Sequence, residues 1–248
     1  MPLLDHLREL RNRILLVAAG LVVGAIAGWF VYRPLFEALQ RPLEAIDGTD
    51  GRQVVLNFAG VATSLDMQLK VSLFASVILS SPWWIYQLWA FITPGLTRTE
   101  RRYTLGFMGA SVPLFLAGAW VAWWLLPRAV AVLTGFTPDG AVNIMDAQTY
   151  LGFVMRMVLA FGVAFLLPVV MVGLTAIGFV RARAWLGGWR WAVLACALFG
   201  AVATPTGDAL SMFALMVPMV VLYFLAIGVG VLMDRRRDRR LAAQGAEL

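Results

Sequence analysis

Residues Thr149–Phe179 read TYLGFVMRMVLAFGVAFLLPVVMVGLTAIGF, thirty-one residues with one charge, Arg156. At 1.5 Å per residue a helix of that length is about 46 Å long, against roughly 30 Å of bilayer hydrocarbon. Such a segment spans a membrane with a strong tilt or projects from it. Arg156 lies near the start of the segment, shallow enough to snorkel outward.

Composition extends this reading to the whole chain. Of 248 residues, 61% are hydrophobic and 14% charged, and the mean hydropathy is +0.81. An ordinary soluble domain is about 45–50% apolar and about 25% charged. The polar residues are too few to cover a water-soluble fold of this size. A soluble enzyme, a disordered protein and a disulfide scaffold are excluded.

Six apolar stretches stand out: Ile14–Tyr32, Leu69–Ile92, Thr104–Leu126, Thr149–Phe179, Trp189–Ala203 and Ala209–Met233. The first contains Ala25-Ile26-Ala27, which looks like a signal-peptidase site, but its apolar run continues through Trp29, Phe30, Val31 and Tyr32 and is long enough to span. The fifth is fifteen residues, about 22 Å, too short to cross upright. With the turn Thr204-Pro205-Thr206-Gly207-Asp208 it forms a short hairpin with the sixth. Pro82, Pro113, Pro168 and Pro218 interrupt four of the spans. Gly20, Gly24 and Gly28 form a small-residue stripe, which packs another helix of this chain or a partner. The expected fold is all-α: a polytopic integral membrane protein with six transmembrane helices in a kinked, curved bundle. Residues 1–233 form one membrane domain, and residues 234–248 a basic cytoplasmic tail without fixed structure.

Fourteen arginines fall on one side of these spans: Arg8, Arg11, Arg13, Arg98, Arg101, Arg102, Arg181, Arg183, Arg190 and five between Arg235 and Arg240. Four fall on the other: Arg33, Arg41, Arg52 and Arg128. The positive-inside rule places both termini in the cytoplasm, with Asp47 and Asp139 outside. Tryptophans gather at span ends, Trp120, Trp123 and Trp124 outside and Trp185, Trp189 and Trp191 inside, as an aromatic belt does. The net charge of +6 is thus a girdle at one membrane face and no nucleic-acid groove.

One cysteine, Cys196, and one histidine, His6, leave no disulfide, no cysteine cluster and no HExxH site. The single lysine, Lys70, follows Leu69, so there is no Walker A loop. No cofactor, metal or catalytic residue is expected. The polar chemistry lies at the cytoplasmic face. Glu9 and Arg13 stand at i, i+4, the spacing of a local ion pair. In the second cytoplasmic loop Glu100 stands among Arg98, Arg101 and Arg102. Each group alone reads as a solvated charge cluster. Together they set two isolated carboxylates on a basic face, where guanidinium groups of a cationic peptide can be recognised by bidentate hydrogen bonds.

The chain resembles the TatC family, the large polytopic subunit of the twin-arginine protein translocase. His6-Leu7-Arg8-Glu9-Leu10-Arg11 is similar to the family's N-terminal motif. The stretch Ser80-Ser81-Pro82 through Tyr86-Gln87-Leu88-Trp89-Ala90-Phe91-Ile92-Thr93-Pro94-Gly95-Leu96, ending Glu100-Arg101-Arg102, resembles its most distinctive segment. Phe161-Gly162-Val163-Ala164-Phe165 with Pro168, and Thr204-Pro205, Asp208, Pro218 and Leu222-Tyr223, complete the likeness to about Met233.

The resemblance implies a signal-peptide receptor and translocation scaffold, not an enzyme. It would sit in the bacterial cytoplasmic membrane and draw on the proton-motive force to export folded proteins. Its partners would be twin-arginine signal peptides, single-span subunits of the TatA and TatB type, further copies in an oligomeric complex, and the lipid bilayer. By the family's pattern Glu9 and Glu100 bind the signal, with Phe91, Pro94, Arg101, Leu10 and Arg11 shaping that patch. Asp208, Phe165, Leu166, Pro168 and Tyr223 would serve translocation and partner contacts. Two positions depart from the pattern. Leu166 stands where the family's fourth span usually carries a glutamate, and Phe224 follows Tyr223 where the last span often has one.

Two other classes were weighed on the residues. A small secondary transporter needs substrate groups near the midplane and usually an internal repeat, and these spans are too unequal to pair as halves. A membrane-embedded enzyme needs a catalytic constellation inside the bundle.

Overall fold

The computed structural model describes residues 3–44, 54–58, 60–92, 98–135, 143–176, 178–203 and 209–245. Among them the order is α1 (Leu3–Phe30), α2 (Tyr32–Glu44), β1 (Val54–Asn57), α3 (Thr63–Leu79), α4 (Ser81–Ile92), α5 (Arg98–Thr134), β2 (Asn143–Asp146), α6 (Ala147–Ala176), α7 (Ala182–Gly187), α8 (Trp189–Ala203) and α9 (Ala209–Gly245). All six expected apolar stretches return as helix. Leu4–Phe30, Gly106–Ala131, Ala147–Ala176 and Met216–Arg235 are each long and apolar enough to cross a membrane. The bent pair α3–α4 is long and apolar enough only when taken together, as one broken span or a re-entrant loop, and Trp189–Val202 is a shorter apolar helix.

Contacts divide the chain into two compact units, Met1–Pro94 with Ala119–Ala160 and Gly95–Gly118 with Phe161–Leu248. In the first unit α1 packs along α3 and then α4. The glycine stripe is what permits this. A Cβ at Gly28 would stand 2.6 Å from the Ser72 carbonyl oxygen, one at Gly24 would stand 2.8 Å from Ser76 Oγ, and Gly20 lies against the Trp83 indole. Of the two readings of that stripe, the structure takes packing within the chain. The Ser76 hydroxyl donates across the seam to the Leu21 carbonyl.

The stretch Leu69–Ile92 is not one helix. It breaks at Ser80, and the two halves meet at 59°. Pro82 has no N–H to give and its ring crowds the preceding turn, so the ladder cannot run straight through. The break is satisfied locally. Ser80 N and Oγ both donate to the Ser76 carbonyl, at 2.9 and 2.7 Å, and the Trp84 indole N–H donates to the Val77 carbonyl at 3.0 Å.

The segments between α1 and α3 and between α5 and α6 carry structure that polar composition concealed. α2 buries Leu39 and Leu43, one helical turn apart, and Pro34 sits in its first turn, where a missing N–H costs nothing. β1 and β2 pair in parallel, Val54 opposite Asn143 through Asn57 opposite Asp146. Asp146 then caps α6, accepting from Thr149 N at 2.8 Å and Thr149 Oγ1 at 2.9 Å. Asp66 of α3 holds Lys70 at 2.6 Å and Gln148 of α6 at 2.8 Å. The Tyr150 hydroxyl donates to the Leu39 carbonyl.

In the second unit small residues again meet large ones. Gly118 faces the Phe161 carbonyl and the Phe165 side chain, and Gly162 lies against the ring of Phe115, which is fully buried. Ala164, Cys196 and Met219 form one cluster, and Met171, Tyr223, Ala226 and Ile227 another. Two helix ends differ from expectation. α6 stops at Ala176 because Gly178 takes a positive φ of 79°, with Phe179 N bonded back to the Leu174 carbonyl. α9 does not end at Met233 but runs helically to Gly245, where a tail without fixed structure was expected. Arginine, leucine and alanine dominate that segment and favour helix, and Asp234 stands three residues before Arg237 and Asp238 three after Arg235, the spacing of pairs along one helix face.

Substitution should separate tight glycines from open ones. Gly28→Leu should lower stability in detergent by about 1–3 kcal/mol, the range for overpacking. Gly106→Ala, at a site with nothing near its Cβ, should leave stability equal or raise it by up to ~1 kcal/mol. Thermal unfolding followed by circular dichroism measures both. Equal effects would remove the α1–α3 seam as a packing constraint.

Candidate functional site

The N-terminal half of α1 carries His6, Glu9, Arg13, Leu16 and Gly20 at spacings of three and four, hence on one face. α4 runs antiparallel to it and presents Trp83, Gln87 and Phe91, each four residues apart. The two stripes meet in order. The Trp83 indole donates to the Leu16 carbonyl at 2.8 Å. Arg13 NH1 donates to Gln87 Oε1 at 2.7 Å. Phe91 stacks on His6, with ring centroids 4.6 Å apart and planes 23° apart.

Glu9 sits in the middle of this seam. Its Oε1 lies 3.4 Å from Arg13 NH2, so the i, i+4 pair expected from spacing is present. Side-chain exposure is 27% for Arg13 and 24% for Glu9, which makes the pair sheltered but wet. By contrast Arg8–Asp5, at 3.5 Å, is largely solvated. Leu10 and Arg11 are exposed on the other side of the helix, with Arg11 reaching only its neighbour Asn12. Gln87 is 2% exposed, an amide buried among apolar residues of α4. A buried amide needs partners, and that is the signal by which the sequence could have revealed it.

The other expected residues divide into those placed and those outside the described part. Glu100 and Arg101 lie in the first turn of α5, where the backbone is helical and the side chains are outside the described residues. Pro94 and Asp208 lie outside the described residues altogether. Phe91 and Glu9 are brought to the same α1–α4 seam. On α6, Phe165, Leu166 and Pro168 are half-buried. On α9, Tyr223 is 4% exposed, inside the cluster with Met171, Ala226 and Ile227. Its hydroxyl donates to the Trp185 carbonyl of α7 at 2.5 Å. The Trp185 indole in turn donates to Thr175 Oγ1 of α6, and Asp234 of α9 accepts from Ala182 N at the start of α7. These bonds clasp α6, α7 and α9 together at one end of the second unit. Among the described residues no group of three His, Cys, Asp or Glu side chains stands close enough to hold a metal ion.

One guanidinium, Arg13, thus stands between one buried amide, Gln87, and one sheltered carboxylate, Glu9. A carboxylate at a sheltered, water-accessible seam makes stronger hydrogen bonds to an incoming guanidinium than one in bulk water.

Comparison with known proteins gives the same answer across the chain. The sequence profile of the family described as "Sec-independent protein translocase protein (TatC)" matches residues 5–218. The TatC protein of Xylanimonas cellulosilytica is 54% identical over 246 residues, covering 99% of this chain and 89% of the relative. That of Rothia mucilaginosa is 38% identical over 250 residues, covering 100% and 85%. A crystal structure of the twin-arginine translocase receptor TatC superposes with a TM-score of 0.83 at 29% identity, covering 92% of this chain and 99% of that one.

The clasp around Tyr223 has a measurable strength. Tyr223→Phe should cost about 0.5–1.5 kcal/mol, because it leaves the Trp185 carbonyl without its donor while keeping the ring. Denaturation in detergent, monitored by tryptophan fluorescence, reports it; no change in midpoint would mean that water replaces the hydroxyl.

Proposed function

The chain belongs to the TatC family of Sec-independent protein translocase subunits, and from that premise we propose that Glu9 and Glu100 are the carboxylates that receive the paired arginines of a signal peptide. The protein is a multi-pass membrane protein, a receptor component of the twin-arginine translocase, and not an enzyme. Family membership removes the secondary-transporter reading.

The observation that supports the site is the α1–α4 seam. It holds Glu9 near the N-terminal end of α1, three-quarters sheltered, with its Arg13 contact no closer than 3.4 Å. An exposed carboxylate among arginines would be screened and worth little. A sheltered one whose own counter-ion is held long can accept a second guanidinium. Phe91, stacked on His6, stiffens the edge of the patch. Glu100, in the first turn of α5, supplies the second carboxylate, with Arg101 beside it and Pro94 shaping the patch by the family's pattern. Flanking arginines exclude cationic peptides that lack the geometry. Lysines in the peptide bind less well, since an ammonium cannot reproduce the guanidinium fork.

The rest of the reading follows the charge pattern and the family. Both termini are cytoplasmic, in a bacterial cytoplasmic membrane. Single-span partners of the TatA and TatB type dock on the α6 and α9 face, where Leu166 and Phe224 make the contact apolar in place of an acid. Asp208 and the outer turn serve a later step, and the proton-motive force drives transport.

Glu100→Gln should weaken binding of a twin-arginine peptide by about 1–3 kcal/mol, the scale of a charged hydrogen bond. Glu9→Gln should act in the same direction and less, since Arg13 already takes part of its charge. Unchanged affinity in the double variant would return both to solvated charge clusters. Orientation is read separately. In a Cys196→Ala background, Asp47→Cys and Asp139→Cys should react with a membrane-impermeant thiol reagent in intact cells. Labelling only after lysis would reverse the topology.

A further inference from the structure

We propose that Gln87 is a positioning residue for signal recognition: by holding Arg13 it keeps the Glu9 carboxylate available to the peptide. The proposal rests on the reading of Glu9 as a receptor carboxylate. It starts from an asymmetry. Arg13 splits its two terminal nitrogens between partners, NH1 to Gln87 at 2.7 Å and NH2 to Glu9 at 3.4 Å. An arginine and a carboxylate left to themselves close to about 2.7–2.9 Å, often through two parallel bonds. Here the strong bond goes to the amide and the weak one to the carboxylate.

Burial explains which partner governs. Gln87 is 2% exposed, packed in the α1–α4 seam between the Trp83 contact and the Phe91–His6 stack, four residues to either side. Leaving its carbonyl unpaired there is costly, so Arg13 is drawn to it. Glu9, a turn nearer the end of α1, can be solvated and exerts the weaker pull. Arg13 is thus a resident guanidinium beside the site meant for a substrate guanidinium, anchored so that it does not fill it. The same contact keeps Glu9 from facing the bilayer interface uncompensated.

The test is a set of affinities of the detergent-solubilised full chain for one fluorescent twin-arginine peptide at fixed salt. Gln87→Met removes the acceptor at similar volume. Arg13 then closes on Glu9, and affinity should fall about three- to five-fold, the size of an ion-pair competition at a partly exposed site. Gln87→Glu retains an acceptor for Arg13 and should bind within about two-fold of the parent, on the same scale. In Gln87→Met with Arg13→Met the competitor is gone, and affinity should recover. Recovery is the readout that a packing role for Gln87 does not give. Loss in Gln87→Met without recovery in the double variant, or no loss at all, overturns the proposal. Should Gln87→Met fail to fold, Arg13→Met alone decides: tighter binding supports the proposal and weaker binding overturns it. Glu9→Gln in the same assay separates the two levels. If it leaves affinity unchanged, the reading of Glu9 fails and this proposal with it; if it weakens binding while Gln87→Met does not, only this proposal fails.

Discussion

A helix in lipid has no water to satisfy a broken turn, so each interruption must be repaired from within the chain. The break at Ser80 is the interruption on which the first unit depends. Pro82 forces it, the Ser80 hydroxyl and Trp84 indole repair it, and the resulting 59° bend redirects the chain. Before the bend, α3 lies against Gly24 and Gly28 on the C-terminal half of α1; after it, α4 lies against the N-terminal half. One helix is thereby gripped along its length by two segments that a straight span could not supply.

That grip is also what makes a polar site possible at a membrane face. Only 11% of the apolar window of α1 is buried, and its residues Val22, Val23 and Ile26 are exposed. A helix so little enclosed would ordinarily leave its charged end free to move. Here three contacts at regular spacing tie that end to α4: an indole to a carbonyl, a guanidinium to an amide, and a ring to a ring. The carboxylate between them gains direction without being fully desolvated, which keeps the cost of ionisation low. On the function proposed for Glu9, specificity for an arginine pair would come from held geometry more than from net charge, since fourteen arginines lie on the side expected to face the cytoplasm.

How much of this the sequence disclosed varies with the kind of signal. Apolar runs gave every span, and Trp189–Ala203 agrees with its helix to the residue, because tryptophan and the turn after Ala203 mark both ends. Spacing alone identified Glu9 with Arg13. Leu69–Ile92 is one apolar run in which Pro82 is expected to interrupt the helix, and the break falls beside it at Ser80; hydropathy alone is blind to backbone pairing and does not show it. β1 and β2 escaped because four-residue strands in polar loops have too little periodicity to register. Gln87 escaped because a lone amide in an apolar run has no spacing partner; its partner stands seventy-four residues away. The second carboxylate, Glu100, was legible only as a charge in a loop and by resemblance.

The fifteen residues of α8 bear on how the chain is made. A segment of about 22 Å has too little apolar length to hold a transmembrane position alone against a hydrocarbon layer of roughly 30 Å. In the finished protein its Cys196 packs with Ala164 of α6 and Met219 of α9. Met219 is synthesised after α8, so at the moment α8 emerges its support is half missing. Membrane integration of α8 therefore waits for α9, and the two enter as a hairpin onto an α6 already in place. Biogenesis of the C-terminal part is cooperative by necessity, and a nascent chain that stops short of Met219 leaves α8 stranded at the membrane surface.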